Sequence, residues 1–183
     1  MESTSQAQTE PTGQTAVVCE LKSAETFDAF YRRELAGLVA FARALSGSAS
    51  AEDIAQEAML AAYRRWDRVS RLDVPSAWVR RVCANGAVST LRRRGVEGRA
   101  LLRLGSRRPD IEPMMTEHEV FWAEVRRLPR RQAQVIALHY IYDLGVTEIA
   151  ATLACAEGTV KTHLSRGRAA LSNRLTEPEA EQR

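Results

Sequence analysis
The chain has 183 residues, with 26 Lys+Arg against 23 Asp+Glu and a formal net charge of +3. That length suits one ordinary domain or two small ones. The longest run free of Asp, Glu, Lys and Arg, Gln132 to Tyr142, is 11 residues, and a membrane-spanning helix needs about 20, so membrane insertion is not expected. The N-terminus is polar and acidic and does not read as a secretory signal. Three cysteines spread along the chain argue against disulfide stapling and fit a reducing cytoplasm.

The small net charge hides a blocked distribution. Residues 1–63 carry −5, 64–108 carry +10, 109–125 carry −5, 126–174 carry +5 and 175–183 carry −2. Of the 26 cations, all but Lys22 and Lys161 are Arg. Two basic blocks around an acidic one suggest two surfaces for a polyanion, and two solvated helical faces would give the same pattern.

Residues 1–23 are rich in Ser, Thr, Gln and Glu without sustained periodicity, which predicts a disordered tail. From Ala24, Phe27, Phe30, Tyr31, Leu35, Leu38, Val39, Ala42 and Leu45 recur at three and four, one face of an amphipathic helix. Gly47 and its neighbouring serines stop it. Ser50-Ala51-Glu52-Asp53 reads as a capping-box-like start to a second helix, with Ile54, Ala58, Met59, Ala62, Tyr63 and Trp66 on its apolar side. Asp67 to Val74 reads as a loop. Pro75 suits the first turn of a third helix, running to about Arg94. Glycines, serines and prolines make 96–116 a linker, with a helical turn expected at Ala100 to Leu104.

A second helical unit begins near Glu117. Pro129 opens a helix that carries Val135, Ile136, Leu138, Ile141 and Tyr142, and Gly145 is expected to end it. A short helix (Thr147 to Leu153), a tight connection (Ala154 to Ala156) and a last helix (Glu157 to Leu175) follow. Residues 176–183 form a tail. No convincing strand is present. The predicted fold is all-α: two small helical domains, 24–95 and 117–175, joined by a linker.

Three constellations carry chemistry. Residues 147–168 have the layout of a helix-turn-helix. Ile149, Ala150, Leu153 and Cys155 pack its first helix and turn, and Val160, Leu164, Leu171 and Leu175 hold its second. Thr159, Lys161, Thr162, Ser165, Arg166 and Arg168 then face outward, hydroxyl and cationic groups suited to base edges and phosphates in a major groove. The competing reading is an αα-hairpin with a basic solvated face. On the third helix Trp78, Arg81, Asn85 and Arg92 share one narrow face. A ring there can stack on an unpaired base while cations hold phosphates, or Trp78 can be a core residue. On the second helix Asp53, Gln56 and Glu57 form an acidic and amide patch. With no cleft, nucleophile or metal partner beside it, the patch reads as a solvated or docking face rather than a catalytic pair.

These pieces in this order resemble a bacterial extracytoplasmic-function sigma factor, group IV of the sigma-70 family. The resemblance is carried by Ala51-Glu-Asp-Ile-Ala-Gln-Glu-Ala-Met-Leu-Ala-Ala-Tyr-Arg-Arg-Trp, by Pro75-Ser-Ala-Trp-Val-Arg-Arg-Val with Asn85 and Leu91-Arg-Arg-Arg, by Leu128-Pro-Arg-Arg-Gln-Ala and by the helix-turn-helix. It implies that Asp53, Gln56 and Glu57 dock the β′ coiled coil of core RNA polymerase. It implies that Trp66, the 67–74 loop, Trp78, Arg80, Arg81, Asn85, Arg92 and Arg93 read and melt the −10 element. Glu157, Thr159, Lys161, Thr162, Ser165, Arg166 and Arg168 would read the −35 element. The implied partners are core polymerase, including its β flap, promoter DNA and an anti-sigma factor. The implied place is the cytoplasm, at the nucleoid or held near the membrane by that anti-sigma factor.

Ala156, Ala84 and Ser89 depart from the family's usual Ser, Arg and Asp. No cofactor, metal or catalytic residue is expected. A response-regulator-type transcription factor is the alternative, because Gly158-Thr-Val-Lys-Thr-His-Leu resembles that class too, but no βα receiver pattern precedes it. A zinc or thiol regulator using Cys19, Cys83 and Cys155 lacks any Cys-x-x-Cys or close Cys/His pair.

Overall fold
The computed structural model describes residues 25–87, 89 and 116–176, and among them it contains helices and no strand. The expected N-terminal tail, residues 177–183 of the expected C-terminal tail, the linker up to residue 115, the turn at 100–104, Arg92, Arg93 and Cys19 lie outside the described residues, while Thr176 ends the last helix. The first helix, α1, spans Phe27–Ser46. Thr26 caps it, its Oγ1 accepting from the Ala29 N–H at 3.3 Å, which satisfies one of the orphan first-turn donors. Gly47 ends it at φ 81°, with its N–H donating to the Arg43 carbonyl, a conformation that glycine adopts without steric cost.

A 3-10 turn (Ser48–Ser50) leads into α2 (Ala51–Tyr63). The expected Ser50 cap is not made. Ser50 closes the 3-10 turn at φ −139°, ψ 7° and makes no side-chain cap bond, and its buried Oγ has no partner. Glu52 and Asp53 still sit in the first turn, where the helix dipole favours them. Trp66 does not continue α2 as the periodicity suggested. The chain turns at Arg64 and Arg65, and Trp66 opens a separate short helix, α3 (Trp66–Val69), inside the segment expected to be a loop. Helix α4 covers residues 75–87.

Helix α5 (Glu117–Arg127) carries a capping box that the sequence reading missed. The Glu119 N–H donates to Thr116 Oγ1 and the Thr116 N–H donates to the Glu119 carboxylate. Pro129 precedes α6 (Arg130–Tyr142) as expected. Gly145 does not end α6. Asp143 does, in the left-handed conformation at φ 51°, and Gly145 instead caps α7 (Val146–Leu153), its N–H donating to Glu148. Ala154, also left-handed, turns the chain into α8 (Glu157–Thr176). Helix α8 buries only Val160, Leu164, Gly167 and Leu171 along its length. Leu175, expected to anchor it, is 46% exposed.

Helix α1 is the centre of the molecule. Its Phe30, Leu38, Phe41 and Leu45 are buried, as are Ile54, Ala58, Met59 and Ala62 of α2 and Val79, Cys83, Ala84 and Ala87 of α4. Complete burial of each large apolar side chain contributes about 1.5–3 kcal/mol. Helix α1 also packs on α5 and α6. Apart from Val69 of α3, the buried apolar residues of α1–α4 and of α5–α8 therefore belong to one continuous cluster rather than two.

Candidate nucleic-acid interface
The outward face of α8 has the geometry that its spacing predicted. Glu157, Thr159, Lys161, Thr162, Ser165, Arg166 and Arg168 are all exposed, while Val160 and Leu164 are buried between them. Thr162 Oγ1 donates back to the Gly158 carbonyl at 2.8 Å. Glu157 is held by Thr147, whose Oγ1 donates to its carboxylate at 2.8 Å, tying the start of α8 to the start of α7. The Arg168 guanidinium is held in place: Nη2 donates to His139 Nε2 at 2.8 Å. His139 Nδ1 in turn donates to the Leu144 carbonyl at 3.0 Å, which fixes the tautomer. Close approach of α8 to α6 depends on Gly167, because a Cβ there would lie 3.0 Å from Ile136 Cγ1.

The residues expected on the −10 surface divide into three groups. Trp66 is spent on packing: its ring meets Phe27 edge-on at 5.4 Å and Phe30 at 5.0 Å. Arg80 turns inward, paired with Glu34 at 3.1 Å, with both side chains largely buried, and its guanidinium lies 4.1 Å from the centre of the Tyr142 ring. Trp78 is half-buried and, with Arg65, Arg68, Val69 and Leu72, lines a small hollow of about 210 Å³. That hollow joins an aromatic face and apolar walls to two cations, the combination that stacks a base and holds its phosphate. Arg81 and Asn85 share a face of α4, as their spacing predicted, and both meet the C-terminal helices. Arg81 Nε donates to the Thr152 carbonyl at 2.7 Å, and Asn85 Oδ1 accepts from Arg130 at 2.7 Å.

On α2, Asp53, Gln56 and Glu57 are exposed. They rim a shallow groove of about 750 Å³ that also includes Phe27, Tyr31, Met59, Leu60 and Tyr63. The sequence reading missed the apolar half of this surface. Leu60 (46% exposed) and Tyr63 (61% exposed) lie three and six residues after Glu57, and Leu60 therefore shares the acidic face. Acidic rim and apolar floor together suit a partner helix of basic and apolar character. Among the described residues no group of three His, Cys, Asp or Glu is arranged to hold a metal ion. No helix among them is long and apolar enough to cross a membrane.

Sigma-70 region 2 matches residues 30–96 and Sigma-70, region 4 matches residues 118–171. The ECF RNA polymerase sigma factor SigW of Bacillus subtilis is 30% identical over 148 residues, covering 73% of this chain and 79% of that protein. The chain belongs to the extracytoplasmic-function sigma factors. The ECF RNA polymerase sigma factor EcfG of Rhodopseudomonas palustris is 31% identical over 139 residues, covering 74% of this chain and 77% of its own. Among solved structures, the sigma factor RpoE of Bartonella quintana, in complex with the anti-sigma factor NepR, matches with a TM-score of 0.66 at 26% identity, covering 85% of this chain and 98% of that one. The protein is thus an alternative sigma factor, the RNA polymerase subunit that directs core enzyme to promoters, and not the catalyst. The response-regulator reading is not favoured.

Proposed function
We propose that residues 24–95 form the region 2 domain, docking core polymerase and opening the −10 element, and that 117–175 form the region 4 domain reading the −35 element across the linker 96–116. The −35 assignment rests on one observation above all: the α8 face bearing Thr159, Lys161, Thr162, Ser165 and Arg166 is wholly exposed while the opposite stripe is buried. A helix so placed enters a major groove with its hydroxyls and cations toward base edges and phosphates. The Glu157 carboxylate is held by Thr147 and the Arg168 guanidinium by His139, so both head groups are oriented before the duplex arrives.

At the −10 element, the hollow beside Trp78 takes an unpaired base of the non-template strand, with Arg65 and Arg68 at its rim. Arg81, Asn85, Arg92 and Arg93 hold the strand along α4 and beyond. Trp66 and Arg80 act at one remove, Trp66 by fixing α3 and the hollow onto α1, and Arg80 by fixing α4 onto Glu34. Asp53, Gln56 and Glu57, with Leu60 and Tyr63, dock the β′ coiled coil, and region 4 meets the β flap. No residue of the chain does bond chemistry. An anti-sigma factor is a further partner, a reading supported by the solved complex of RpoE with NepR. The protein works in the cytoplasm, where its template is.

Reconstituted transcription with core polymerase on genomic DNA, with start sites mapped, tests the whole reading. Specific start sites absent with core alone are expected. Asp53→Arg should weaken co-purification with core enzyme while leaving the helical content intact, and unchanged co-purification would remove the docking assignment. Lys161→Ala should weaken promoter binding and make its salt dependence shallower by about one unit of slope.

A further inference from the structure
Helix α1 meets α6 along a seam that is tight in one part and open in another. In the tight part the Tyr142 ring lies against Phe41 at 5.7 Å, and a Cβ at Gly37 would come within 2.9 Å of that ring. Toward the end of α1 the residues are small, and Ala40, Ala44 and Gly47 leave a cavity of about 830 Å³ against α5 and α6. Small-molecule sites typically enclose about 300–1,000 Å³. The cavity shares no lining residue with the surfaces assigned above to DNA and core polymerase.

Two guanidinium groups line it, Arg43 from the last turn of α1 and Arg126 from the last turn of α5. Among the described residues neither has a side-chain hydrogen bond or an ion pair. Glu124, the carboxylate of α5 nearest Arg126 in sequence, is engaged by Arg127 and by Arg174. Arg126 is half-buried, and that burial lowers its guanidinium from the ordinary value of 12.5. A cation taken out of water without a counter-charge is costly, and an anion in the cavity removes that cost. The remaining walls are largely aromatic. Trp122 Nε1 donates to His118 Nε2 at 3.1 Å, which fixes the plane of the indole. Phe121 meets Trp122 edge-on at 5.0 Å and Tyr140 edge-on at 5.9 Å, so one ring braces the two that line the cavity. Glu119, the carboxylate among these walls, already accepts from the Thr116 N–H at 2.9 Å and the Thr116 hydroxyl at 3.1 Å.

We propose that this cavity binds a nucleoside monophosphate, its base against Trp122 and Tyr140 and its phosphate at Arg43 and Arg126. A phosphate monoester carries about −1.5 to −2 charge at pH 7, close to one for each guanidinium, and the planar guanidinium fork fits phosphate oxygens bidentately. Aromatic faces stack on any base. The ligand brings a metabolite signal to the sigma factor itself, at a place separate from promoter and core enzyme.

Isothermal titration of the full chain tests the site, with adenosine monophosphate, guanosine monophosphate, inorganic phosphate and guanosine as probes. At least one nucleotide should bind at a single saturable site, about tenfold more tightly than phosphate or nucleoside alone. Arg43→Gln and Arg126→Gln should each weaken it about tenfold, the loss of a charge-assisted hydrogen bond. Tyr140→Leu should weaken the nucleotide and leave inorganic phosphate unchanged. Circular dichroism verifies that each variant stays helical. Without ligand, Arg126→Gln should melt no lower than the wild type, because it strands no partner. The nucleotide should raise the melting midpoint of the wild type and leave that of Arg126→Gln in place. The proposal fails if neither nucleotide saturates at millimolar concentration. It fails equally if both Arg variants bind as the wild type does, since the nucleotide then lies on another basic face. Inorganic phosphate binding as tightly as the nucleotides would also overturn it, because the aromatic walls would contribute nothing.

Discussion

Arg80 and Arg81 are adjacent in sequence and lead opposite lives. Successive residues of a helix are about 100° apart, so only one of them can lie on the face of Asn85. That is Arg81, and the spacing of Trp78, Arg81 and Asn85 had already singled it out. Arg80 was assigned to the same surface by resemblance alone, and its environment is different: Glu34 at 3.1 Å, Tyr142 beneath it, and a buried Nε without a partner. Glu34 is 7% exposed and also accepts from Arg33. Removing one member of such a buried pair strands the other charge, at a cost of about 3–5 kcal/mol. Glu34→Leu should therefore lower unfolding free energy by about that amount in urea titration, far more than loss of the exposed Arg32–Asp28 pair, whose side chains are largely in water. No periodicity signals a buried carboxylate on α1, because the burial of Glu34 and its pairing with Arg80 arise only when α4 packs against it.

At the scale of the element, the helices were legible and their ends were not. Apolar recurrence at three and four located α1, α2 and α8 by their buried faces, whereas α6 is buried on all sides over residues 133–138 and was marked by Pro129 and its apolar run. Ends depend on a few hydrogen bonds, and those follow from where the neighbouring segment is pulled. Ser50 looks like a cap, yet the 3-10 turn that carries α1 into α2 leaves its hydroxyl inward and unused. Asp143 rather than Gly145 takes the left-handed position, since Gly145 is needed one step later to meet Glu148. The Trp66 break had no warning, because a Trp at that spacing fits either a continued α2 or a new helix packed on Phe27 and Phe30. The box at α5 is the reverse case, a Thr116-x-x-Glu119 pair present in the sequence and passed over. Bonds from the Thr116 backbone N–H and hydroxyl hold the Glu119 carboxyl below its ordinary range. A depressed carboxylate stabilises above its ordinary value of 4.5 and loses that effect as the pH falls. Thr116→Ala should cost about 0.5–2 kcal/mol, read as a lower melting temperature, and the deficit should shrink in acid.

The junction between the two halves is a property of the whole molecule. Sequence reading gave two domains and a linker; it had no means of seeing that Gly37, Phe41 and Tyr142, more than a hundred residues from end to end, share one core. The composition of that junction carries its own pH dependence. Burial raises the Cys83 thiol from 9.0 to about 12, and its Sγ faces the Leu38 carbonyl. Burial also raises the Tyr142 hydroxyl above its ordinary 10.0. For both, the folded state keeps the proton that the unfolded state releases. Their contribution is complete below pH about 9 and diminishes as the pH climbs through the interval between the unfolded and folded values. Thermal melts between pH 8 and 11 should show a falling midpoint. Replacing Cys83 by Ala should flatten the lower part of that decline, and an unaltered slope would show that the thiol is not its source.

The narrow stripe by which α8 is held has a consequence for how such proteins diverge. Val160, Leu164, Gly167 and Leu171 are the buried positions of a helix of 20 residues. Substitutions at exposed positions away from caps and networks usually change stability by less than about 0.5 kcal/mol. Thr159, Ser165 and Arg166 make no side-chain contact among the described residues that folding requires. The helix can exchange these letters one at a time, passing through intermediates that all fold. Under the proposed −35 assignment, new promoter preferences are within reach by single steps, and a duplicated copy can acquire its own set of genes without first acquiring a new scaffold.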